Sequence, residues 1–369
     1  MTTSTDFIID RKNLREGKFA TTALPALTAG QVLAKVDKFA LTANNITYGA
    51  AGDSIGYWKF FPATEGWGRI PVWGYADVVE SSNDALPVGE RIYGYLPIST
   101  HVVLDPAKIT PATFIDGAAH RKGLPPVYNQ YMRVNADQAY FKGHENEIAI
   151  FRPLFSTSFL IDDFLADSDF FGARNVVLSS ASSKTALGLA QLLRDHRKGQ
   201  VKVVGLTSPK NAAFVERTGY YNQVAPYADI EKLDARTPTV HVDFAGDREL
   251  RARIHTHFAD QLKYSCIVGA THWEDLAGGA SIAANTERAP LPGAKPIFFF
   301  APDRIVKRTA DWGNAGVAKR IGDALFVFAM SSKSWMRVVE GRGQSAITKV
   351  YGEFTAGTTN PAEGHILAP

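Results

Sequence analysis

The stretch Asn175–Leu193, NVVLSSASSKTALGLAQLL, decides the fold. Val176–Leu178 is an apolar run of strand size and Ser179–Lys184 is a short polar turn. Ala186, Leu189, Ala190, Leu192 and Leu193 then recur at the spacing of one helix face. A buried strand, a tight turn and a helix start in direct succession make the corner at which α/β proteins bind phosphate, because backbone N–H groups and the helix dipole both face the turn. Serines and a lysine stand here where glycines are usual. Ser180, Ser182, Ser183, Lys184 and Thr185 are therefore candidate phosphate ligands, with the hydroxyls as donors and the ammonium as a point charge. The same hydroxyl residues would equally serve as helix caps.

Toward the C-terminus, strand and helix keep alternating. Val201–Leu206 precedes a helix over Pro209–Thr218, and Thr239–Phe244 precedes one over Arg248–Phe258. Tyr264–Gly269 and Pro296–Phe300 are further strands. This alternation predicts a parallel, doubly wound sheet, whose ligand lies at the carboxyl ends of the strands. Thr207, Ser208 and Lys210 follow the second strand, where an acidic residue would bind the ribose 2′-hydroxyl of NAD. No acid is present there, and hydroxyls with a lysine suit a 2′-phosphate, which favours NADPH over NADH. Ser208-Pro209 also reads as an ordinary helix start.

Before about Phe155 the texture is β-rich. Gln31–Phe39, Pro71–Val79, Arg91–Tyr95 and His101–Leu104 are short strands with Gly and Pro turns between them, as in a barrel-like domain. At the other end, Asp311–Met336 is expected to be helical with a break around Gly313–Gly316. Thr348–Phe354 is expected as a strand, and TAGTTNPAEGHILAP, residues 355–369, as a turn-rich tail.

With 369 residues, two domains are the default, and 45% hydrophobic against 21% charged residues is a globular composition. A net charge of +3, with scattered Lys and Arg, does not point to nucleic acid. The single cysteine, Cys266, leaves no internal disulfide framework or Cys-rich zinc site and fits a cytoplasmic setting. No apolar stretch has the length of a membrane span.

Several segments together resemble the medium-chain dehydrogenase/reductase superfamily, in its zinc-free quinone and enoyl reductase branch. They are LTANNITYG (41–49), IPVWGYADVVES (70–81), LPVGERIYGY (86–95), VVLSSASSKTALGLAQLL (176–193), VVGLTSPKN (203–211), TGYYNQVAPY (218–227) and NPAEGHIL (360–367). The wording of NNITY and PVWGYADVV is closer still to a subgroup without an assigned reaction. The resemblance implies an α/β protein with a GroES-like β domain over 1–154 and 301–369 and a Rossmann-like dinucleotide domain over 155–300. It puts Ser180, Ser183, Lys184 and Ala186 where relatives carry glycine. It also implies an NADPH cofactor, no metal, and a homodimer paired through the far end of Phe298–Phe300.

For chemistry, the resemblance points to Tyr48 and Tyr57 as proton or hydrogen-bond donors to the substrate, and to Asn45 with Asn44 as amides that orient the nicotinamide or a carbonyl. Tyr227 falls on the adenosine side, and Gly269 and Thr271 fall at a strand end beside the nicotinamide. The aromatic residues Tyr57, Trp58, Phe60, Phe61, Trp67 and Trp73 would line a pocket for an apolar or acyl small molecule. Each of these aromatics and amides also suits plain packing or turn formation. The implied activity is zinc-independent, NADPH-linked hydride transfer to an activated alkene or quinone. The missing glycines leave a non-catalytic nucleotide-binding or sensor protein as the alternative. Polar cleft residues leave a non-redox enzyme acting on acyl thioesters, although no Gly-x-Ser-x-Gly elbow is present.

Overall fold

The computed structural model describes residues 2–268 and 290–369. The chain forms two compact units, one of Met1–Ile150 with Arg337–Pro369 and the other of Phe151–Met336. The first unit begins with β1 (Thr3–Asp10), β2 (Gly17–Ala23) and β3 (Val32–Leu41). Helix α1 (Ala43–Ala50) follows, then β4 (Trp67–Gly68), β5 (Pro71–Ser81), β6 (Arg91–Pro97) and β7 (His101–Leu104). Three short strands complete this part: β8 (Pro106–Ala107), β9 (Thr113–Asp116) and β10 (Gln130–Arg133).

Helix α2 (Glu145–Asp167) leads into the alternating half: β11 (Asn175–Leu178), α3 (Lys184–His196), β12 (Lys202–Thr207), α4 (Pro209–Thr218) and β13 (Gln223–Pro226). Then come β14 (Thr239–Asp243), α5 (Arg248–Phe258), β15 (Leu262–Ile267) and β16 (Pro296–Phe298). These six strands pair in the order β13-β12-β11-β14-β15-β16, all parallel. Numbered within the sheet, that is 3-2-1-4-5-6, the order of the dinucleotide-binding fold, with its reversal between β11 and β14.

Helix α6 (Ala301–Ser332) stays in this second unit, and Gly313, at φ +68°, breaks it near the expected position. Its Leu325, Phe328 and Ala329 are fully buried, and the Phe328 ring stacks on Phe155 of α2 at 5.0 Å. The domain division therefore falls after Met336, not after residue 300, because the apolar face of α6 packs on α2.

The chain then returns to the first unit with β17 (Arg337–Arg342), α7 (Gly343–Thr355) and β18 (Glu363–Ala368). The larger sheet runs β17-β18-β3-β5-β6-β10-β9-β8, with β7 also on β3, and β2-β1-β4 forms a small second sheet. Two expectations are corrected here. Thr348–Phe354 is helical, because Ile347, Val350, Tyr351 and Thr355 make one buried stripe at helical spacing. The tail is turn-rich only up to residue 362 and ends in a strand, because Ile366, Leu367 and Ala368 are buried where β18 pairs with β3 and β17. The architecture is the GroES-like and Rossmann-like pair that the resemblance implied.

Candidate functional site

In the second unit, the turn after β11 is held by side chains rather than by glycines. Of the four positions where relatives carry glycine, only Ser180 has a left-handed backbone, at φ +51°. Ser183 is an extended N-cap at φ −71°, and Lys184 and Ala186 lie inside α3. A non-glycine residue in the left-handed region costs roughly 1–2 kcal/mol. Neighbouring groups offset it. The Ser180 N–H donates to the Tyr227 hydroxyl at 3.1 Å, and Tyr221 donates to the Ala181 carbonyl at 2.8 Å. Gly205 of β12 makes room for this packing. A Cβ there would stand 2.8 Å from the Tyr221 ring and 2.9 Å from the Ala181 methyl.

The cofactor candidates at the first three strand ends do come together. Asn211 of α4 donates to the Ser182 hydroxyl at 3.1 Å, and the Ser183 hydroxyl accepts from the Ala186 N–H at 3.3 Å. Lys184 opens α3 and is half-buried, and Thr185 offers its carbonyl to the Ser158 hydroxyl at 2.7 Å. Thr207 is buried at the end of β12, and Lys210 is exposed on the first turn of α4. Ser208 is the N-cap of α4, yet its hydroxyl does not cap, and the buried Oγ has no partner among the described residues. Burial pushes the Tyr227 phenol up to about 12, so it keeps its proton. Gly269, Thr271 and the neighbouring His272 lie outside the described residues.

Sequence reading passed over Ser179, which is fully buried. Its hydroxyl donates to Asp243 Oδ1 at 2.7 Å and accepts the N–H groups of Phe244 and Ala245 at 3.0 and 3.1 Å. Asp243 Oδ1 also accepts from the Ala245 and Gly246 N–H groups, each at 3.0 Å, and Oδ2 accepts from Arg251 at 2.9 Å. On the same side of the sheet lie His241 and the His255–Ser265 hydrogen bond of 2.9 Å, all fully buried. No sequence pattern marks this cluster, because its members come from two turns, two strands and α5.

In the first unit, the site candidates separate. Asn45 is committed to the local fold. Its carboxamide oxygen accepts the Thr42 N–H at 2.7 Å and the Thr42 hydroxyl at 3.0 Å, and its nitrogen donates to the Pro71 carbonyl at 2.9 Å. This capping arrangement starts α1. Tyr48 and Tyr57 instead join a phenol cluster with two residues that the sequence did not single out, Tyr95 and Tyr128. The Tyr48 and Tyr57 rings are 4.7 Å apart, and the Tyr57 and Tyr128 hydroxyls are 3.1 Å apart. Trp73 Nε1 donates to the Tyr48 hydroxyl at 3.3 Å, while the buried Tyr95 hydroxyl has no partner among the described residues.

Burial raises all four phenols above their ordinary range, so they donate hydrogen bonds and resist ionisation. Of the expected pocket lining, Trp58, Phe60 and Phe61 are buried core. Arg69 is ion-paired with Asp6 at 2.6 Å. No group of three or more metal-binding side chains occurs among the described residues.

Comparison with known proteins places this geometry. No curated protein matches the sequence. Solved structures match over the whole chain at low identity. CurA from Vibrio vulnificus is 11% identical with a TM-score of 0.57, covering 100% of this chain and 98% of its own, and CurA has also been solved with NADPH. The quinone oxidoreductase from Coxiella burnetii is 12% identical with a TM-score of 0.54, covering 100% of both chains. The CurK enoyl reductase is 10% identical with a TM-score of 0.57, covering 99% of both. The fold is thus shared with quinone and enoyl reductases. Residues 39–360 match the family described as "Protein of unknown function (DUF2855)", and over most of its length the chain belongs to that family.

Proposed function

We propose that the protein is an NADPH-dependent oxidoreductase that reduces an activated alkene or a quinone without zinc. One observation carries the reading: the 3-2-1-4-5-6 sheet puts a serine-lined turn and a helix N-terminus beside the reversal of strand order. The fold shared with CurA, which has been solved with NADPH, supports it. The donor set fits the group. The hydroxyls of Ser180, Ser182 and Ser183, the Thr185 hydroxyl and the Lys184 ammonium suit a diphosphate. The Ser208 hydroxyl, without a partner among the described residues, and the exposed Lys210 suit a 2′-phosphate.

When bound, NADPH supplies the hydride. Tyr48 and Tyr57, held protonated by burial, would donate hydrogen bonds to the accepting oxygen of an apolar or acyl substrate. The single buried Cys266 suits a cytoplasmic setting.

Titration of the protein with NADPH, followed by nucleotide fluorescence, should show saturable binding. Lys210→Ala should weaken NADPH about tenfold more than NADH, the scale of one charge-assisted phosphate contact. Absence of saturable binding by either nucleotide would overturn the reading, and equal losses would remove Lys210 from the 2′-phosphate. A second reading, a nucleotide-binding protein without catalysis, is favoured by the glycine-poor turn. It predicts the same titration without turnover of any enone, enoyl or quinone acceptor.

A homodimer belongs to the same proposal. β16 is the end strand of its sheet among the described residues, and Ile297 within it and Phe300 just after it are 50% and 48% exposed. A second copy pairing there would cover both side chains. Light scattering should give twice the chain mass, and a monomer mass would remove this part of the proposal.

A further inference from the structure

We infer that Asp243 is the positioning residue of the crevice between β11 and β14, acting through Ser179 on the turn that would take the diphosphate. The inference rests on the dinucleotide reading above. β11 and β14 are the two strands at which the sheet order reverses, so their carboxyl ends form the two sides of the ligand crevice. One buried carboxylate joins those ends. Asp243 Oδ1 accepts from Ser179 on the β11 side at 2.7 Å and from the Ala245 and Gly246 amides on its own side, both at 3.0 Å. Arg251 neutralises Oδ2 at 2.9 Å, and neither charged side chain is more than 1% exposed. Ser179 returns the link by accepting from the Phe244 and Ala245 amides.

The residue after Ser179 is Ser180, the one turn position that needs a left-handed backbone without glycine. A side chain anchored one residue earlier limits where that backbone can go. The network therefore does by hydrogen bonding what glycine does by lacking a Cβ. It holds the turn in one shape at the N-terminus of α3, with the Ser182 and Ser183 side chains on it.

The test compares two ligands that share the adenosine end. NADPH carries the diphosphate, and adenosine 2′-monophosphate does not. Ser179→Ala removes the stitch and leaves the Asp243–Arg251 pair intact, so the chain should still fold. Asp243→Asn is the harsher companion, read only if it melts cooperatively. For Ser179→Ala, calorimetry should show NADPH dissociation raised tenfold or more, with adenosine 2′-monophosphate changed less than twofold. Equal weakening of both ligands would mean a merely structural role and overturn the inference, as would unchanged affinity for NADPH. Failure of the wild-type chain to bind NADPH is a separate result, because it removes the dinucleotide reading and this inference with it.

Discussion

Replacing Arg251 by methionine should lower stability by about 3–5 kcal/mol, the range for removing one partner of a buried ion pair. Arg251 is fully buried and donates to Asp243 Oδ2 at 2.9 Å. Methionine fills much of the volume, so the loss reports charge rather than a cavity. The remaining hydrogen bonds to Asp243 come from one hydroxyl and two amides, none of which carries charge. Desolvation of the carboxylate then goes largely uncompensated. Chemical denaturation should show the shift, and adding Asp243→Asn to Arg251→Met should restore at least half of it. A loss below about 1 kcal/mol, or no recovery in the double variant, would show that water reaches this corner.

Stability should also fall in mild acid because of one histidine. His241 sits on β14 between Val177 of β11 and Ser265 of β15, and neither of its ring nitrogens has a partner among the described residues. Burial lowers its pKa to about 4, with His255 and Arg251 acting in the same direction and Asp243 against it. The unfolded chain takes up this proton near the ordinary value of about 6.5, and the folded chain stays neutral down to about 4. Between those values the unfolded state binds more protons, so the contribution is complete above the upper value and declines as pH falls. About 2 kcal/mol should go by pH 5 and about 3 kcal/mol by pH 4. Denaturation midpoints at pH 7.5 and pH 5, compared with those of His241→Leu, isolate the effect from the other histidines. Parallel pH dependences in the two proteins would rule out His241 as its source.

Both effects arise in a polar cluster that no local pattern announced. His241 and Asp243 read as members of the strand TVHVDF, and Ser179 read as the first residue of a polar turn. Their meaning depends on β11 and β14 lying side by side, although 64 positions separate Ser179 from Asp243. Tyr95 and Tyr128 were passed over for the same reason. Their rings reach Tyr48 and Tyr57 only after β6 and a later turn fold onto α1.

The errors in the first unit have a related cause. Thr348–Phe354 is rich in residues that favour strands, but the stripe Ile347, Val350, Tyr351 and Thr355 emerges only when the window includes both flanks. The six residues of β18 are too few to outvote the Gly, Pro and Asn around them, and pairing with β3, more than three hundred positions upstream, makes them a strand.

What the amino-acid order determined alone is most of the alternation of strand and helix from β11 to β16, without β13, and the strand–turn–helix corner after β11. Those depend on apolar periodicity and turn chemistry within about twenty neighbouring positions. Tertiary structure decided the rest. Strand order set the switch point, the packing of α6 on α2 moved the domain boundary, and side chains brought from distant segments kept a glycine-poor turn in its glycine shape. The physical reason is that a hydrogen bond or a buried contact acts between neighbours in space, and position along the chain records only some of those.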